Sequence, residues 1–204
     1  MSLSKLAPNV PIVYLALGSN LGDRREHLRR AVAELRTQAG AEIVAVSALY
    51  ATEAVGIADG PEFLNAAIGL RTALQPEEML RVCLGIEKAA GRVRGGARPP
   101  GALAGFGASS QPASSASALG TTRATSRPLD LDLLVWGDEI RNSPDLILPH
   151  PRLHERAFVL APLNEIASDV VVRGRSIAAW AAAVGTSGVI RQPGTEDWAR
   201  AAPH

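Results

Sequence analysis

The sequence predicts a single mixed domain, with strands and helices in the order β-α-β-β-α followed by another strand and helix. Three observations predict it. Short apolar segments of strand length are bounded by Gly, Asn and Pro. Two longer runs carry apolar residues at helical spacing. No internal repeat interrupts that order.

The first strand is Ile12-Val13-Tyr14-Leu15-Ala16-Leu17, ended by the turn-forming Gly18-Ser19-Asn20. Asp23 is placed to cap a helix running to about Gln38, with Leu28, Val32 and Leu35 on one face and Gly40 closing it. Residues 42–50 (EIVAVSALY) alternate and are β-branched, which predicts a second strand. After a loop holding Gly56, Asp59, Gly60 and Pro61, Phe63 to Leu70 forms the third strand. Gln75 or Pro76 then opens a helix to about Ala90, with Met79, Val82, Cys83 and Ile86 inward. From Gly95 to Ser126 the chain turns to Gly, Ala, Ser and Pro, with almost no apolar periodicity to offset its ordering entropy. That predicts a long flexible insertion, functional or disordered. A strand resumes over residues 127–136, HERAFVLAPLNEIA reads as a helix, and the tail beyond is less distinctive. The expected organisation is one domain over 1–204, with a core at about 12–170, the insertion at about 95–126 and a C-terminal extension at about 171–204.

Composition narrows the class. At 204 residues, 47% hydrophobic and net charge +1, the chain has the make-up of an ordinary soluble domain with a real core. That charge argues against bulk binding of nucleic acid, which calls for a basic face. Cys83 is the only cysteine, so no internal disulfide is possible and a reducing compartment is expected. The start MSLSKLAPNV lacks a signal-peptide core, and no apolar run approaches the roughly 20 residues of a membrane span. The expectation is a cytoplasmic protein without membrane contact.

The chemistry is carried by RPLDLDLLVWGDEI, residues 127–140. Asp130 and Asp132 interrupt an apolar run, although burying an ionised carboxylate costs several kcal/mol unless it is paired or holds a metal. Strand side chains alternate, so the two carboxylates share a face roughly 6.5 to 7 Å apart, with Leu129, Leu131 and Leu133 turned to the core. Two acceptor-only groups on a rigid face can hold Mg²⁺, which takes carboxylates together with substrate phosphate oxygens. The plainer reading is a pair of edge-strand aspartates facing water or bridged to arginines.

Their company favours the metal. Arg92 and Arg94 close the second helix, Arg127 precedes Asp130 by three residues, and His150, Arg152, His154 and Arg156 follow in PHPRLHER. Carboxylates for metal beside guanidinium groups are what a polyphosphate site requires, since Mg²⁺ bridges the phosphates while Arg spreads their charge. Arg152 and His154 read as solvated groups near a helix end. No G-x-x-x-x-G-K-[ST] occurs, which excludes a P-loop, and Gly18 to Gly22 reads as a tight turn. Phe63 and Asn65 offer an aromatic face and an amide edge to a flat heterocycle, although Phe63 alone reads as core.

The segments LALGSNLGD (15–23), FLNAA (63–67), IEKAAGRVR (86–94), RPLDLDLLVWGDE (127–139) and LPHPRLHERAFVLAPLNEIA (148–167) carry a resemblance. In this order the chain resembles the 6-hydroxymethyl-7,8-dihydropterin pyrophosphokinases of folate biosynthesis. The resemblance implies a ferredoxin-like α+β fold, an antiparallel sheet with helices packed on it. It also implies transfer of pyrophosphate from ATP to the pterin hydroxymethyl oxygen, with release of AMP. Carried over by position, Asp130 and Asp132 would bind two Mg²⁺ ions. Arg92, Arg94, Arg127, His150 and Arg156 would serve the triphosphate and its transfer, with Glu87 among the ATP-side positions. Phe63 and Phe158 would sandwich the pterin, with Asn65 and the stretch Thr52, Glu53 and Val55 reading its edge. The partners implied are these two small molecules, and a monomer is expected.

The chain departs from the family pattern in places. Leu84 stands where some members carry a polar residue, and Pro151 replaces an aromatic beside His150. The 95–126 segment lacks the tryptophan of the family's shorter link. The alternative reading is therefore a catalytically impaired pterin- or nucleotide-binding protein of the same fold. A ferredoxin-like RNA-binding module would need sheet aromatics and a basic face, and the chain is only 4% aromatic.

Overall fold

A computed structural model describes residues 10–52, 61–91 and 128–200. Strand β1 (Val13–Ser19) leads into helix α1 (Arg24–Gln38), whose first turn is capped by Asp23 accepting from the Glu26 N–H at 3.0 Å. Gly40, at φ +54°, then turns the chain out of the helix in a conformation glycine adopts without strain. Strands β2 (Glu42–Val46), β3 (Tyr50–Thr52) and β4 (Phe63–Arg71) follow, then α2 (Pro76–Ala89) behind a Gln75/Glu78 capping box. Strand β5 (Asp130–Trp136) carries the aspartates.

The single strand expected over 42–50 is split, because both pieces pair with one edge of β4. Strand β2 lies against Ile68 to Arg71, and β3 against Phe63 to Asn65. Between them the Ser47 hydroxyl accepts from the Ala67 N–H at 2.9 Å, and the Leu49 N–H turns to Thr195 at 2.9 Å. Short strands β6 (Arg141–Asn142) and β7 (Ile147–Leu148) form a hairpin after β5. The helix expected from His154 begins later. Leu153–Glu155 is a separate 3-10 turn, Arg156 is extended at φ −117° and ψ 106°, and α3 runs Ala157–Ala167.

The tail holds the hairpin β8 (Val171–Val172) and β9 (Arg175–Ser176), helix α4 (Ile177–Val184) and strand β10 (Val189–Arg191). It extends the core beyond residue 170, where the sequence offered little. Strand β10 pairs antiparallel with β3, and Trp198 sits 2% exposed in the main core, donating its indole N–H to Ser47 O at 2.8 Å.

The main sheet runs β10-β3-β4-β1-β5, with β2 on β4, and every pairing is antiparallel. Two β-α-β units therefore interleave, β1-α1-β2 around β4 and β4-α2-β5 around β1. Right-handed crossovers put both helices on one face. That face buries Leu15, Leu17, Leu131 and Leu133 against Leu28, Leu35, Met79 and Cys83. The other face buries Tyr14, Ala16, Ala67, Leu134 and Val135 under Val159, Leu160 and Leu163 of α3. Among the described residues no helix is long and apolar enough to cross a membrane.

Removing the Trp198 side chain empties a core site and strands the Ser47 carbonyl. Trp198→Ala is expected to lower unfolding free energy by about 3–5 kcal/mol in urea denaturation. A loss below about 1 kcal/mol would mark the tail as an appendage.

Candidate active site

Register and side-chain alternation assemble one row across the sheet. Asn65 of β4 pairs with Gly18 of β1, and Gly18 with Asp130 of β5. One step along, Ala67 pairs with Ala16 and Ala16 with Asp132. Ala16 and Ala67 belong to the α3-side core, so Asn65, Asp130 and Asp132 face that same side. Between Asn65 and the aspartates the sheet offers only Gly18 and Ala16. The result is a floor of small residues two strand spacings wide, about 10 Å, with an amide at one end and carboxylates at the other.

The carboxylates do not face water. Asp130 is 0% and Asp132 5% exposed, although β5 is an edge strand. Arg156, also buried, stands by them. Burial and then the neighbouring Arg152 pull its guanidinium below the ordinary value, and the opposing pull of Asp132 and Asp130 offsets part of this. Among the described residues no three His, Cys, Asp or Glu side chains gather into a metal cage. Two carboxylates from one strand make an open shell, and that donor set fits Mg²⁺ completed by water and substrate phosphate.

His150 hangs from the same strand, its N–H bonded to Leu134 O at 2.8 Å. Its Nδ1 accepts from the Arg152 N–H at 3.1 Å, which puts the proton of the neutral ring on Nε2. Nε2 is buried and has no hydrogen-bond partner among the described residues. Burial first, then Arg156 and Arg152, push the imidazole down to about 3, so the ring is neutral at pH 7. It can donate one hydrogen bond to an anion. His154 is not solvated as expected: its ring lies 4.9 Å from that of Trp180 on α4, and the Arg175 guanidinium lies over the same Trp180 ring at 4.5 Å.

At the far end of the floor Asn65 is 2% exposed, and its Nδ2 donates to the buried Thr52 hydroxyl at 2.8 Å. Its Oδ1 has no partner among the described residues and can accept from a ligand N–H. Phe63 is half-buried and lies outside both apolar cores, unlike the core position its sequence context suggests. Phe158 is half-buried on the first turn of α3, with the Arg156 guanidinium 5.9 Å from its ring centre. Glu53, Val55, Arg92, Arg94, Arg127 and the 95–126 segment lie outside the described residues.

Two residues gain a part that sequence reading missed. The Ser19 hydroxyl donates to Pro128 O at 2.6 Å, just ahead of Asp130. Glu87 is 0% exposed and accepts from the Leu131 N–H at 2.8 Å, between the two aspartates. A carboxylate on the helix face of Met79, Cys83 and Ile86 was the available signal, since an apolar stripe admits one only with a partner.

A sheet floor with buried aspartates at one end and an amide at the other is an arrangement that an enzyme acting on a heterocycle and a phosphate compound can use. The chain belongs to the 7,8-dihydro-6-hydroxymethylpterin-pyrophosphokinase (HPPK) family, whose model matches residues 14–101 and 113–168. It is 39% identical over 159 residues to the Bacillus subtilis 2-amino-4-hydroxy-6-hydroxymethyldihydropteridine pyrophosphokinase, covering 78% of this chain and 80% of that one. The enzyme of the same name from Methylorubrum extorquens is 38% identical over 178 residues, 87% of this chain and 96% of its own length. In fold the chain is similar to Plasmodium falciparum HPPK-DHPS solved with SDX-DHP, at TM-score 0.54 and 14% identity. That likeness covers 89% of this chain and 45% of the solved one.

His150 supplies a pH test. The unfolded imidazole takes up its proton as pH falls through 6.5, whereas the folded one resists to about 3. Its contribution to stability is therefore complete above pH 6.5 and drains away between 6.5 and 3. His150→Gln is expected to flatten that part of the profile of urea midpoint against pH. Equal slopes in both proteins would mean that the ring is hydrated.

Proposed function

We propose that this chain carries out its family's reaction on the floor between Asn65 and Asp130, with the residues on that face in the roles below. The protein is a diphosphotransferase of folate biosynthesis. It moves pyrophosphate from ATP to 6-hydroxymethyl-7,8-dihydropterin, giving the pterin pyrophosphate and AMP. The observation that supports the assignment of roles is the shared row, Asn65 to Gly18 to Asp130, which brings an amide and a carboxylate onto one rigid surface.

Asp130 and Asp132 would hold two Mg²⁺ ions, which would supply neutralisation of phosphate charge. Arg156 and neutral His150 bind the phosphates, and Arg92, Arg94 and Arg127 belong to the same set. The Asn65 Oδ1 accepts from the pterin edge while Thr52 fixes its amide, with Glu53 and Val55 on the same side. Phe63 and Phe158 enclose the ring. Placing the pterin hydroxymethyl end toward the aspartates brings acceptor and phosphate together, and such positioning is worth roughly 7–11 kcal/mol of barrier when the geometry is right. The strand order, read with β2 and β3 as one edge, supports a ferredoxin-like core for the single domain. The enzyme works as a cytoplasmic monomer on this reading.

Asp132→Asn tests the metal role, since a neutral amide is a poor Mg²⁺ ligand. AMP release should fall by at least about a hundredfold, roughly 2.7 kcal/mol of barrier, with the circular dichroism spectrum kept. Loss of both together would make Asp132 a structural residue. Phe63→Ala tests the pocket. Pterin affinity in calorimetry should fall about three- to tenfold, in line with stacking worth about 0.5–1.5 kcal/mol, while nucleotide binding without pterin stays within twofold. Equal damage to both ligands would return Phe63 to the core.

A further inference from the structure

Among the described residues, the strand that carries both aspartates is the edge of the sheet, with β1 as its sole neighbour in the ladder. An edge strand leaves alternate backbone groups unpaired, and unpaired groups let a strand shift or fray. Here the segment around Asp130 is tied from both sides. On its N-terminal side Pro128 O receives the Ser19 hydroxyl at 2.6 Å. On its C-terminal side the Leu131 N–H reaches Glu87 Oε1 at 2.8 Å. Both side chains are wholly buried and come from different elements, β1 and α2.

Glu87 does not join the aspartates as a third ligand, because among the described residues no such group of three exists. It lies close enough for its charge to be felt with that of Asp132: burial first, then Glu87, then Asp132, raise the Cys83 thiol far above its ordinary value. A buried carboxylate costs free energy unless it is paired. The bond to the strand between Asp130 and Asp132 offsets part of that cost.

Resting on the reading that Asp130 and Asp132 hold Mg²⁺, we infer that Glu87, with Ser19, is a positioning residue that fixes the aspartate strand and so sets metal affinity. Mg²⁺ demands near-ideal octahedral geometry at about 2.0–2.1 Å, so loosening a ligand strand weakens the ion before it weakens anything else. The pterin end of the floor, built on β3 and β4, is two strands away and is left alone.

The test compares Glu87→Leu, which removes the acceptor, with Glu87→Gln, which keeps an oxygen for the Leu131 N–H. Ser19→Ala removes the second tie. For each, Mn²⁺ affinity is measured by electron paramagnetic resonance in the presence of a non-hydrolysable ATP analogue. Pterin affinity is measured by calorimetry, and exchange of the Leu131 amide is followed by nuclear magnetic resonance. Glu87→Leu should weaken Mn²⁺ at least tenfold and speed Leu131 exchange, with pterin affinity within twofold. Glu87→Gln should stay within threefold of the parent, and Ser19→Ala should weaken Mn²⁺ at least threefold.

Glu87→Leu or Ser19→Ala within twofold of the parent for Mn²⁺ overturns the inference, as does Glu87→Gln losing as much as Glu87→Leu. If Glu87→Leu fails to fold, the Gln and Ser19 variants decide by the same limits. Asp132→Asn is the control: if it leaves Mn²⁺ binding unchanged, the metal reading itself falls. If it abolishes binding while Glu87→Leu and Ser19→Ala stay within twofold of the parent, the positioning role alone falls.

Discussion

The open edge of β5 is the constraint on which the rest of this structure depends. A sheet edge has backbone donors and acceptors that no neighbouring strand takes, and buried ones must find partners elsewhere. In this chain the partners are parts of the site. The Leu131 N–H is met by Glu87 from α2, and Leu134 O by the His150 N–H from the segment before α3. Satisfying the edge therefore also fixes where the aspartates and the histidine stand relative to each other. The strand next to it, β1, contributes only the small residues Gly18 and Ala16 at the same level, between the aspartates and β4.

Electrostatics adds a second constraint. Two buried carboxylates repel. Arg156, on the extended residue that precedes α3, is buried and feels the pull of both aspartates. On the proposed chemistry the same guanidinium serves two states. It balances carboxylates when no ion is bound, and it is available to phosphate once Mg²⁺ has taken them over. His150 is matched to the second state, since its neutral ring adds a donor without adding a cation to a region that already holds Arg152 and Arg156.

What was legible in the sequence was what depends on local pattern. The Asp23 cap, the helical spacing of Leu28, Val32 and Leu35, and the alternation that puts Asp130 and Asp132 opposite Leu131 all come from residues close in the chain. What was not legible depends on distant partners. Ser47 reads as one polar residue in an alternating run, and only its bonds to Ala67 and Ala48 show why the strand breaks there. The tail from 171 onward looked featureless because β10 has no strong pattern of its own. It is a strand because β3 presents an edge to it, and Trp198 is core because Ser47 O awaits its indole N–H. The site divides the same way: the aspartates were visible as charges in an apolar run, whereas the ties of Glu87 and Ser19 are visible only in three dimensions.

The bulge in β5 joins these threads. Opposite β1, Leu133 pairs with Leu15 and Val135 with Tyr14, so Leu134 is one residue too many. Without it, strict alternation would turn Val135 toward α1 and α2 and Trp136 toward α3. With it, Leu134 and Val135 both pack under α3, while Trp136 returns to the core beneath α1 and α2. The extra residue also frees Leu134 O to receive the His150 N–H. One inserted residue thus lets a single strand present carboxylates at its start, anchor the histidine segment at its middle and close the main core at its end. A regular strand of the same composition would have to give up one of the three.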